Sequence, residues 1–122
     1  MMKSISQSIS AYLDSVYLAR SESTAKTYKN ALNRFSKTLK GRKLPVDQIS
    51  VDNLAEDAVV WFAADLKGYS PATERLYLTA VTGFYEYLAA EELSNINLPR
   101  LRLLIKQRAR RPGTRLPQFP RE

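Results

Sequence analysis

Lys26, Lys29, Asn30, Asn33 and Lys37 are spaced so that a helix would carry all five side chains on one arc, where together they could meet a polyanion. With Tyr28 set at zero and 100° per residue, Leu32, Phe35 and Leu39 fall within about 40° of it and define an inner stripe. The five polar residues, with Lys40, fall between about 100° and 200°, and Arg34 sits at the edge of that arc. Ammonium groups neutralise phosphates, and asparagine amides reach base edges, where they pair well with adenine. A helix tuned only for solubility interleaves Glu for i,i+4 pairing, yet this one has no acid after Glu22.

Other chemistry is poorly supplied. The 122 residues contain neither His nor Cys, which removes the usual general base near neutral pH, the commonest metal ligand, thiolate metal sites and disulfides. No Gly-rich phosphate loop, paired-carboxylate site or nucleophile triad is present, so a self-contained enzyme is disfavoured, and neither a cofactor nor a metal is expected. No segment reaches the roughly 18 apolar residues of a membrane span, and the start lacks a signal-peptide core. The absence of Cys fits a reducing cytoplasm.

Charge is laid out in blocks. Residues 20–43 hold eight Lys/Arg against Glu22 alone, net +7; residues 44–98 are net −7; residues 99–122 return to net +7. Such separation suits one face built for a polyanion. Arg108, Arg110 and Arg111 cluster in the last block, with Arg100, Arg102 and Lys106 near them, and a basic segment of this kind can follow a phosphate backbone.

The elements that must position these residues read as helices throughout. Ile5, Ile9, Leu13 and Val16 predict a first helix over about Ser6–Ala19, and the hydroxyl-rich Ser21–Thr24 start predicts a second to Lys40, stopped by Gly41. A third is expected from a Ser50 cap to Lys67, burying Leu54, Ala58, Trp61, Phe62 and Leu66. Ser70-Pro71 opens a fourth that reaches Ala90, and Leu101–Gln107 reads as a short fifth. The second and fourth repeat each other at an offset of 49: both read S-x-x-T-x-x-x-Y-x-x-A-h-x-x-F-x-x-x-L, with Leu32 or Val81 at h. The arc of the fourth that matches the Lys/Asn stripe carries Arg75, Thr79, Thr82 and Glu86, of which Arg75, Thr79 and Thr82 are candidate phosphate or thymine-methyl contacts.

The order SISAYLDSVYL, the S-x-x-T-x-x-x-Y start, YSPATERLYLTAVTGFYEYLAAEEL, and NINLPRLRLL leading to RPGTRLPQFP resembles the N-terminal core-binding domain of the tyrosine recombinase (phage integrase) family. Asn97-Leu98-Pro99 stands where that family has a direct Asn-Pro turn. The resemblance implies an all-α, SAM-like bundle of four to five helices built from two helix hairpins, with residues 1–98 as the domain. Residues 99–122 would then be a basic linker toward a catalytic domain absent from this chain. It further implies that the second and fourth helices face double-stranded DNA, that other recombinase protomers are partners, and that strand cleavage belongs to the missing domain. None of the seven tyrosines here is then the nucleophile, and the chain is expected to be a non-catalytic DNA clamp used in integration and recombination. A helical protein-interaction domain whose basic face meets an acidic partner is the alternative.

Overall fold

Ser4 opens the first helix a residue earlier than the apolar spacing predicts. The computed structural model describes residues 3–108, and in it α1 (Ile5–Ala19) starts with a reciprocal cap. Ser4 Oγ accepts from the Gln7 amide and Gln7 Oε1 accepts from the Ser4 amide, both at 3.0 Å. Two further amides of this first turn are satisfied by the loop after the second helix: Ile5 N donates to Ile49 O at 3.0 Å and Ser6 N to Val46 O at 2.9 Å.

The repeated helices, α2 (Glu22–Gly41) and α4 (Pro71–Ala90), share their ends as well as their pattern. Ser21 Oγ and Ser70 Oγ each accept from the amide three residues on at 3.2 Å and donate to that threonine's Oγ1 at 3.0 Å. Each helix stops on a residue in the left-handed region, Lys43 (φ 64°) and Glu92 (φ 57°), again 49 positions apart. The following amide reaches back five residues in both: Leu44 N to Leu39 O at 3.0 Å and Leu93 N to Leu88 O at 2.9 Å. This is the Schellman closure, with Leu44 and Leu93 packed against the core. Gly41 is therefore not the stop the sequence suggests; it is the last helical residue, and Lys43 does the turning. A Cβ-bearing residue in that conformation costs roughly 1–2 kcal/mol, part of which glycine's freedom in the unfolded chain offsets. Lys43→Gly and Glu92→Gly are each expected to stabilise the fold by about 0.5–1 kcal/mol; unchanged urea midpoints would deny it.

The third helix is broken where one continuous element was expected. Val51–Asn53 forms a 3-10 turn, α3 occupies only Ala58–Asp65, and Leu66–Gly68 is a second 3-10 turn. Ser50 Oγ bonds Asp52 rather than a backbone amide, so no side chain caps a longer helix there. Ala55 O accepts the Tyr85 hydroxyl at 2.8 Å, and the Glu56 carboxylate accepts the Asn97 amide at 2.7 Å. The Tyr85 hydroxyl thus competes for a carbonyl that a continuous helix would spend along its own axis, and the Asn97 amide ties the Glu56 side chain to the start of α5. Leu54, Ala58, Phe62 and Leu66 are buried as expected, whereas Trp61 is only half-buried, beneath the Arg42 guanidinium 4.8 Å from its ring centroid.

α5 (Leu98–Arg108) takes in the short fifth helix that the sequence predicts over Leu101–Gln107, begins three residues earlier, and packs against α3 and α4. Leu101 is fully buried, Asn97 Oδ1 caps the helix by accepting from Arg100 N at 3.0 Å, and Pro99 falls in the first turn, where a missing N–H costs nothing. The described residues form an all-α bundle whose α2 and α4 pack together, with α1 against both and α3 and α5 closing the other side. Phe35 lies at the centre, edge-on to Phe62 at 5.3 Å and to Tyr85 at 6.2 Å. Ala31, Leu32, Phe35 and Leu39 and their counterparts Ala80, Val81, Phe84 and Leu88 are all inaccessible, so the repeat is an inner-face repeat.

Candidate nucleic-acid interface

The Lys/Asn stripe depends on α2 being one unbroken helix, and it is. Lys26, Lys29, Asn30, Asn33, Lys37 and Lys40 are all exposed, opposite the buried Leu32, Phe35 and Leu39. Among the described residues none of these four lysines forms an ion pair. Three acids of the middle segment are held by α5. Arg100 bonds Glu56 at 3.3 Å and Asp57 at 2.6 Å, and Arg102 bonds Glu86 at 3.1 Å, which ties α5 to the body. The bond to Asp57 raises the Arg100 pKa further above its ordinary value, so this tether stays charged. Arg34, at the edge of the arc, is the α2 cation that meets the acidic segment, 3.8 Å from Asp65.

Three grooves divide the candidate residues. One of about 260 Å³ holds Asn30, Asn33, Arg34 and Lys37 beside Tyr69 and Tyr77, so the stripe meets the start of α4. A second, about 550 Å³, lies between α1 and α2 and places Lys26 and Lys29 near Asp14, Glu22 and Tyr17. Asp14 comes from α1, and nothing in the α2 pattern announces it. The third, about 350 Å³, joins Thr79 and Glu86 of α4 to Arg20 and Tyr28. Among the described residues, the candidates on the two repeated helices are therefore not gathered into one of these concavities.

On α4, Arg75 is exposed and stands at the position equivalent to Lys26. Thr79 is exposed too, whereas the Thr82 hydroxyl donates to Leu78 O at 2.7 Å, which commits its proton to the helix and leaves its methyl for other contacts. Arg110 and Arg111 lie outside the described residues, and Arg108 is described only as the last residue of α5.

The tyrosines serve mainly as packing and hydrogen-bond donors. Tyr12 donates to Ala80 O at 3.1 Å and touches the rings of Tyr28, Phe84 and Tyr87; burial pushes its pKa up, with Tyr28 adding to the shift. Burial likewise raises Tyr85. Both phenols stay protonated across ordinary pH, the opposite of what an activated nucleophile requires. Tyr28 and Tyr77 are half-buried, and Tyr77 leans on the more exposed Tyr69 with centroids 5.6 Å apart. Among the described residues no helix is long and apolar enough to cross a membrane, and no group of acidic side chains gathers as a metal site would require.

The family model described as phage integrase, N-terminal SAM-like domain, matches residues 9–92, which takes in α1 from its second turn through the closure of α4. No curated protein and no solved structure matches the chain.

Proposed function

The chain belongs to the family of phage integrase N-terminal SAM-like domains, and on that premise we propose that it binds double-stranded DNA as the N-terminal clamp of a site-specific tyrosine recombinase. The outer face of α2 is the contact surface, with Lys26, Lys29 and Lys37 on phosphates and Asn30 and Asn33 toward base edges. Arg75, Thr79 and the methyl of Thr82 extend the surface onto α4, and Arg108, Arg110 and Arg111 follow the backbone of the duplex. Strand cleavage and rejoining fall to a catalytic domain outside these residues. Other recombinase protomers are the further partners, and the cytoplasm is the compartment.

The observation that carries this reading is a continuous row of exposed lysines and asparagines, the lysines without an ion pair among the described residues, on a helix whose opposite face buries Leu32, Phe35 and Leu39. A sequence-independent share of the affinity follows from releasing the counterions that phosphates hold. Titrating the purified chain with duplex DNA across a salt series tests it: with about five phosphates neutralised, log affinity should fall with log salt at a slope near about −4.5. Undetectable or salt-insensitive binding would instead favour a protein partner for the basic face.

A further inference from the structure

The groove between α2 and the start of α4 holds more chemical detail than phosphate neutralisation requires. Asn30 and Asn33 lie one turn apart on α2, a rise of about 4.5 Å, close to the roughly 3.4 Å step between base pairs. Tyr69 and Tyr77 wall the same groove as a tilted ring pair. In the major groove an A·T pair offers an acceptor and a donor on adenine, which an asparagine amide matches bidentately, and a C5 methyl on thymine, which an aromatic ring can cover. Guanine instead offers two acceptors, best met by arginine.

The one arginine in this groove is restrained. Arg34 reaches Asp65 at 3.8 Å, and Asp65 is itself fixed by the Thr38 hydroxyl at 2.7 Å. The carboxylate draws the guanidinium toward α3 and offsets its charge. Lys37, at the far end of the row, is left for a phosphate.

We propose that this groove reads adjacent A·T pairs, with Asn30 and Asn33 on adenine edges, Tyr69 over a thymine methyl, and Asp65 holding Arg34 back from guanine. The proposal rests on the DNA-binding reading above and adds a base preference to it.

The test incubates the full chain at low salt with a pool of short duplexes randomised at their centre and sequences the retained fraction. Wild type should enrich adjacent A·T pairs by at least about fivefold per position, the lower end of what one bidentate amide contact discriminates. Asn30→Ala with Asn33→Ala should abolish the enrichment, since the phosphate contacts that remain carry no sequence information. Replacing thymine by uracil in the enriched site should weaken wild type about fourfold, the worth of one buried methyl, and Tyr69→Ala should erase that difference. Asp65→Asn should admit G·C pairs into the selected site. Retained binding with flat base composition, or enrichment of G·C by wild type, overturns the groove's base preference and leaves DNA binding standing. No retention of any duplex by wild type overturns the DNA-binding reading and this one with it.

Discussion

Replacing Lys26, Lys29 and Lys37 together by Ala is expected to weaken binding to duplex DNA by roughly 100-fold at about 0.1 M salt, and to flatten the salt slope by about 2.7. The argument is additive and electrostatic. Each phosphate contact contributes about 0.9 to the slope through the counterion it releases, and none of the three ammonium groups is neutralised by an acid among the described residues. All three are exposed on a helix capped at both ends, so the variant should melt like the parent. Lys3→Ala, ahead of α1 and exposed, is the matched control and should change affinity less than about twofold. Anisotropy titrations in which triple variant and control behaved alike would move the interface off α2.

Gly83→Ala should cost about 2 kcal/mol and lower the melting temperature by about 10 °C, although alanine is the better helix former by about 1 kcal/mol. A Cβ at this position would collide with Tyr12 Oη, and its nearest atoms are all in the Tyr12 side chain. The hydroxyl has nowhere to retreat without leaving Ala80 O, and its ring is held by Tyr28, Phe84 and Tyr87. The sign of the coupling makes the test specific. Tyr12→Phe alone forfeits one buried hydrogen bond, about 1 kcal/mol, but it removes the colliding atom and leaves the ring carbon at an ordinary contact of 3.5 Å. In that background Gly83→Ala should become neutral or stabilising, and a thermal double-mutant cycle with additive losses would refute the mechanism.

The parts of the fold that a sequence can reveal are those governed by local periodicity. α2 and α4 were legible because their apolar spacing and their S-x-x-T starts agree, and the inner stripe of each is buried as its spacing requires. The break between Leu54 and Asp57 was not, because the Tyr85 hydroxyl on Ala55 O and the Asn97 amide on Glu56 come from residues far along the chain. The candidate site divides the same way. That Lys26, Lys29, Asn30, Asn33 and Lys37 share an exposed face followed from 3.6 residues per turn. That Tyr69 and Tyr77 flank the asparagines, that Asp14 stands near the first two lysines, and that Asp65 draws on Arg34 depend on how helices dock. Gly83 gave no signal either, since its meaning lies in a tyrosine on another helix.

The duplicated start and stop of α2 and α4 separate framework from content. Two rods of 20 residues each are cut to the same length by identical hydroxyl caps and identical leucine closures, yet Lys37 corresponds to Glu86 in the repeat, and Arg42 and Lys43 correspond to Glu91 and Glu92. Opposite electrical characters have been written onto one mechanical template. Outward positions on either rod can consequently drift, or be grafted from one to the other, without renegotiating the interior, which leaves ligand preference free to diversify while the scaffold stays constant.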